Sequence, residues 1–194
     1  MSLTPKIISV SELPTQEAKF SNSPQVLEAE RIRLLAVAVM ALIRSKTNAF
    51  PVSTVIIEQF RPPIGKYIIE FPAGLVDEGD TVESAAIREL EEETGFKADR
   101  ADSVLEVSDL IVSDPGMTNA NMKFIIVNVT LEDKLVMPKQ KLEAGEFIVP
   151  RIVEVYKLHD ELKEYAKKGF VVDARLSHFA MGFNLGAQMT NGHV

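Results

Sequence analysis

The sequence predicts an α/β fold of the α+β kind, with helices laid on a mixed sheet. Three observations point there: apolar runs of strand length bounded by turns, one acidic stretch with helical periodicity that ends on a glycine, and two helical segments near the end of the chain. With 194 residues, 46% of them apolar, the chain is expected to form one domain. A domain of that size buries about 70% of its unfolded surface.

Taken in order, Lys6 to Val10 reads as a short strand, Ser21-Asn22-Ser23-Pro24 as a turn, and Gln25 to Arg33 as a helical turn. Ile32 to Ile43 is expected to be a strand buried on both faces. Its apolar run, Leu34 to Ile43, is half the length a bilayer requires and is bracketed by Arg33 and Arg44. Val52 to Phe60 forms the next strand, Arg61-Pro62-Pro63-Ile64-Gly65 a rigid turn, and Lys66 to Phe71 a short strand. After the acidic helix, strands are expected at Ser103 to Val112, Met122 to Leu131 and Phe147 to Val155, with a charged loop from Glu132 to Lys141. Helices at Tyr156–Lys168 and Asp173–Gln188 follow, the second carrying Phe179, Phe183 and Ala187 along one stripe.

Composition narrows the function. A net charge of −7 argues against a general nucleic-acid binder, which needs a basic field. The absence of cysteine excludes disulfides and thiol chemistry. With no signal-peptide pattern and no span-length apolar run, a soluble protein of the cytoplasm, or alternatively the nucleus, is expected, without membrane or nucleic-acid partners.

The stretch Gly74 to Phe96, GLVDEGDTVESAAIRELEEETGF, carries the chemistry. At 100° per residue, Glu89, Glu92 and Glu93 fall in one narrow sector, while Ala86, Ile87, Leu90 and Thr94 form the adjoining sector that packs on a sheet. Gly95 ends the helix as a C-terminal cap. Three crowded carboxylates repel unless a cation lies between them, and Mg²⁺ takes oxygen ligands of this kind while also holding substrate phosphates. Arg88, one turn before Glu92, is placed to orient it. A solvated acidic face is the commoner fate of a Glu run. It leaves the glycine turn, the arginine, the apolar stripe and the final glycine unexplained.

Those offsets resemble the Nudix box: a glycine, a glutamate after five intervening residues, and after seven more Arg-Glu-apolar-any-Glu-Glu-any-Gly-apolar. Gly74, Arg88, Glu89, Leu90, Glu92, Glu93, Gly95 and Phe96 match, and Asp80 stands where the early glutamate falls. Glu58-Gln59-Phe60-Arg61-Pro62-Pro63 and Ile69-Glu70-Phe71-Pro72-Ala73-Gly74-Leu75 resemble the eukaryotic ADP-sugar (ADP-ribose) pyrophosphatase branch. So do Asp114-Pro115-Gly116, Gly145-Glu146-Phe147 and Val172-Asp173-Ala174-Arg175.

The resemblance implies an α/β/α sandwich over residues 32–194, preceded by a shortened N-terminal arm, residues 1–31. It implies Mg²⁺-dependent hydrolysis of ADP-ribose and related ADP-sugars to AMP and a sugar phosphate, with Mn²⁺ as the alternative ion. Glu89, Glu92, Glu93 and the Ala73 carbonyl are then metal ligands, and Glu146 or the helix glutamate Glu92 is the catalytic carboxylate that activates water. Arg61 is expected to grip a phosphate. Glu70 either buttresses the metal loop or receives a substrate hydroxyl. Asp114 reads as a turn residue, which the family places near the ribose. His159, His178 and His193 are scattered and are assigned no chemistry.

Relatives of this branch carry a longer N-terminal β-domain, which closes a swapped homodimer and supplies tryptophans that stack adenine. This sequence has no tryptophan, and its interval from Phe20 to Leu34 is too short for those strands. Phe20 falls where one stacking aromatic is expected, and the short interval argues against the homodimer. Two other readings follow: a non-catalytic or weakly active binding module of the same fold, and a hydrolase of other nucleoside diphosphates such as oxidised ones.

Overall fold

The computed structural model describes residues 36–98, 103–115, 118–143 and 145–192. The expected strand at Lys6–Val10, the helical turn at Gln25–Arg33, the arm 1–31, Phe20 and Gly116 lie outside the described residues.

The organising strand is β1 (Ala36–Ser45), which pairs parallel to β7 (Asn121–Leu131) and antiparallel to β2 (Ser53–Arg61). Around them lie β3 (Lys66–Glu70), β4 (Ala73–Leu75), β5 (Val104–Val107), β6 (Ile111–Val112), β8 (Ile148–Glu154) and β9 (Val171–Val172). The path through the mixed sheet runs β5-β7-β1-β2-β3-β9, with β4 on β1, β6 on β7 and β8 on β2.

Strand β1 is buried on both faces because its side chains alternate between two cores. Val37, Val39, Ala41 and Ile43 face helix α1 (Val82–Thr94), joining Ala85, Ala86, Leu90 and Phe96. Met40 faces the other way, toward α2 (Leu158–Lys167) and α3 (Ala174–Thr190), where Leu158, Leu162, Leu176 and Ala180 close the second core. The result is an α/β/α sandwich, as the sequence leads one to expect.

Two local departures have clear causes. The single strand expected over Ser103–Val112 is two short strands, because Ser108 interrupts it. The Ser108 N–H donates to the Phe124 carbonyl, and its Oγ both accepts from the Phe124 N–H and donates to the Asp109 carbonyl, so local side-chain bonds displace the ladder. Strand β4, three residues inside the glycine turn, has no periodicity to reveal it. Its ladder partners, Ala36 to Ala38, supply the signal instead.

Among the described residues no helix is long and apolar enough to cross a membrane. The Val172-Asp173-Ala174-Arg175 run has a structural use. Asp173 is the N-cap of α3, accepting from the N–H groups of Arg175 and Leu176, and it also pairs with the Arg175 guanidinium at 2.7 Å.

Candidate active site

Helix α1 begins at a capping box, with Thr81 accepting from the Ser84 N–H and the Ser84 hydroxyl accepting from the Thr81 N–H. It stops at Gly95, whose φ of 77° lies in the left-handed region and whose N–H donates to the Glu91 carbonyl. Ala85, Ala86, Leu90 and Thr94 fix the rotation of the helix on the sheet, while Ile87 packs at the edge of the same core. That rotation turns Glu89, Glu92 and Glu93 toward the glycine turn that precedes the helix.

The cleft there has a volume of about 280 Å³ and brings together Arg61, Ala73, Glu89, Glu92, Glu93 and Glu146. Arg88 also lines it and is the local organiser. Its guanidinium donates to Glu89 at 2.7 Å, to Glu92 at 3.1 Å and to the Leu75 carbonyl at 3.1 Å, with Asp77 at 3.4 Å and Asp80 at 3.7 Å as further ion-pair partners. Asp80, the residue that departs from the box, therefore still faces the arginine. Burial pushes the Glu89 carboxyl up, the Arg88 charge and hydrogen bond oppose this, and Glu92 and Glu146 add to the rise.

Glu93 is the most deeply set of the three, 4% exposed, and its Oε2 accepts the Ala73 N–H at 3.0 Å. Burial pushes it up to about 8; the Ala73 N–H opposes this, while Glu89, Glu146 and Glu70 reinforce it. A buried carboxylate surrounded by others is stabilised in its charged form by a cation. The donor set is made of hard oxygens, and Gly74 leaves open the space in front of Glu89: a Cβ there would stand 2.0 Å from the Glu89 carboxyl carbon. These residues fit a divalent ion of the Mg²⁺ class. Among the described residues, no three acidic, histidine or cysteine side chains already converge in ligating geometry. Glu89 and Glu92 are turned toward Arg88, and Glu93 toward Ala73.

The remaining expected residues divide. Arg61 stands at the rim, its Nε donating to Glu70 at 2.8 Å, with Glu70 only 4% exposed. Glu70 thus lies behind Arg61 rather than in the cleft wall. Asp114 is not among the lining residues, and its carbonyl accepts from the Thr118 N–H as a turn residue does. Glu146 is half-buried, and its Oε2 accepts the Glu143 N–H at 2.9 Å, which curls its loop toward the cleft. Gln59, Asp77 and Glu143 also line the cleft without having been singled out. Asp77 lies inside the glycine turn and Gln59 two residues before Arg61, so proximity to the motif was the available signal.

One acidic helix facing a glycine turn across such a cleft offers the hard-oxygen donors that metal-assisted hydrolysis uses. Residues 33–171 match the NUDIX domain, and the chain belongs to the Nudix family of hydrolases. It is 38% identical over 198 residues to an uncharacterized Nudix hydrolase of Schizosaccharomyces pombe, covering 94% of each chain. It is 33% identical to the ADP-ribose pyrophosphatase of Saccharomyces cerevisiae, over 78% of this chain and 64% of that one. With the ADP-sugar pyrophosphatase of Mus musculus it shares 43% identity, over 48% of this chain and 42% of the mouse protein. The chain thus spans less than two thirds of the Saccharomyces cerevisiae and mouse relatives. Enzymes of this family generally use divalent metal ions.

Proposed function

We propose that this protein hydrolyses the diphosphate of ADP-ribose and related ADP-sugars to AMP and a sugar phosphate, with Mg²⁺ as the ion. The observation that carries this reading is the facing of Glu89, Glu92 and Glu93 on α1 against Glu146 on the β7–β8 loop, with Arg61 at the rim. The likeness to relatives named ADP-ribose and ADP-sugar pyrophosphatase supports the substrate class.

Glu89, Glu92, Glu93 and the Ala73 carbonyl would hold the ion, which supplies neutralisation of the diphosphate charge and orientation of the attacking oxygen. Arg61 draws a phosphate oxygen to the rim, while Glu70 fixes the arginine from behind. Glu146 takes a proton from water as that water's oxygen bonds to phosphorus; the phosphoanhydride P–O bond breaks, and the electrons leave on the departing phosphate. Arg88 holds Glu89 and Glu92 side by side and so limits their mutual repulsion.

A panel of nucleoside diphosphate sugars and oxidised nucleoside diphosphates with Mg²⁺, scored for release of the corresponding nucleoside monophosphate, tests the reading. AMP and ribose 5-phosphate from ADP-ribose is the expected result. Turnover of the oxidised nucleotides alone would move the substrate assignment, and binding without turnover of any of them would make the chain a binding module.

A further inference from the structure

Helix α1 must hold Glu93 still, yet Glu93 lies in the last turn, where helices fray and the carbonyls have no intrahelical partners. The protein meets these carbonyls one at a time. The Gly95 N–H donates to Glu91 O at 2.8 Å, the Lys141 N–H to Glu92 O at 2.9 Å, and the Gln140 Nε2 to Glu93 O at 2.5 Å. Two of the three donors come from a loop more than forty residues downstream.

Gln140 does more than cap. The second hydrogen of the same amide goes to the Ile148 carbonyl at 3.1 Å, at the start of β8 and two residues beyond Glu146. Both neighbours are acceptors only, so the nitrogen, not the oxygen, must face them. One planar NH₂ group therefore spans the end of the helix that carries Glu93 and the root of the segment that carries Glu146. The loop itself is seated: Leu135 and Met137 pack against the α1-side core, and the Lys139 carbonyl lies so close to Gly95 that a Cβ there would approach it to 2.5 Å.

The geometry points to Gln140 as a positioning residue that sets the separation of Glu93 and Glu146 across the cleft. This rests on the roles assigned to those two glutamates above. A carboxylate at this position has no hydrogen to give and would set a negative charge against two carbonyls and the negative end of the helix dipole. Asparagine keeps the amide but is one methylene too short to reach both acceptors. Among uncharged side chains, only glutamine has both the reach and the two donors on one nitrogen.

The test compares Gln140→Leu, Gln140→Asn and Gln140→Glu with Lys141→Ala, a control on the same loop that removes only a surface ion pair to Glu91 of α1 and keeps the backbone N–H. All are measured on the full chain, well below their melting temperatures, with circular dichroism confirming the fold. With ADP-ribose and Mg²⁺, Gln140→Leu should lower kcat by about tenfold with KM changed less than about twofold, as misplacement of reacting groups does. Gln140→Glu should be the worst, and Lys141→Ala should match wild type. A second readout needs no turnover: the Kd for Mn²⁺ alone, read by electron paramagnetic resonance, should rise in the Gln140 variants and stay fixed in Lys141→Ala. A folded Gln140→Leu with wild-type kcat and wild-type Mn²⁺ affinity would overturn the assignment. If that variant does not fold, Gln140→Asn decides on the same two measurements. If wild type releases no AMP from ADP-ribose, the substrate reading fails, and the Mn²⁺ measurement still decides the role of Gln140.

Discussion

Gly74 and Glu89 occupy one volume: the position where any other residue would carry its Cβ lies 2.0 Å from the Glu89 carboxyl carbon. A side chain at the first glycine of the motif would therefore force Glu89 out of the place it holds. Gly74→Ala should displace Glu89 from the cleft and lower turnover by about a hundredfold, since an ångström of misplacement can have that effect. The global fold should persist, because the cleft opens to solvent on that side. Steady-state kinetics beside circular dichroism checks this, and an alanine variant with wild-type turnover would show that Glu89 is not needed where it stands.

Glu93→Gln keeps the shape and still offers an oxygen to the Ala73 N–H, but it removes the buried charge. Turnover should fall by several orders of magnitude, since loss of a metal ligand removes several kcal/mol of transition-state stabilisation. The metal-free variant should melt higher than metal-free wild type above neutral pH, because the repelled carboxylate is gone. A variant retaining near wild-type activity would refute the ligand assignment.

The elevated Glu93 value gives a pH dependence of definite sign. An unfolded glutamate releases its proton near 4.5, whereas the folded one holds it to about 8. Between those values the folded state binds a proton that the unfolded chain lacks, so stability falls as pH rises through the window and the contribution is fully lost above it. Asp173 does not offset this. Burial raises it, but Arg175 and the helix N–H groups outweigh burial and hold it below 3.8, so its linkage lies at lower pH. Thermal melts of metal-free protein should show a lower Tm at pH 8.5 than at pH 6, and millimolar Mg²⁺ should raise Tm more at the higher pH. Equal melts with and without Mg²⁺, together with no bound ion by titration, would favour the binding-module reading.

How much of this was legible in the sequence can be seen residue by residue. The helix around Glu89, Glu92 and Glu93 and its stop at Gly95 were readable because spacing and capping are local properties. Strand β1 was readable because a run buried on both faces is apolar throughout. The break at Ser108 was hidden, since it depends on an exchange with Phe124 sixteen residues away. Gln140 was hidden for the same reason: nothing in a charged loop shows that one amide will meet carbonyls of both α1 and β8. Long-range polar bonds leave no periodic trace.

Recognition of the base is a separate expectation. With no tryptophan in the chain and a short interval between Phe20 and Leu34, adenine stacking should be weak. Each lost aromatic contact removes about 1 kcal/mol, and two together raise KM roughly tenfold or more. Measuring kcat/KM for ADP-ribose beside a guanine analogue, with mass by light scattering, checks this. Strong adenine preference in a stable homodimer would sink it.

The pairing of β1 with β7, which joins Ala36 to Met122 and Ser45 to Leu131, also bears on how the chain reaches this state. The strand at the centre of the sheet is synthesised early, but its parallel neighbour emerges only after the whole motif and the following loop have left the ribosome. Parallel partners so far apart in sequence close slowly. Until they do, the acidic helix has no completed sheet on which to bury Leu90 and Phe96. Assembly of the cleft is therefore expected late in folding. Conditions or partners that delay the β1–β7 closure would extend the lifetime of a species whose apolar β1 is exposed and open to association with other chains.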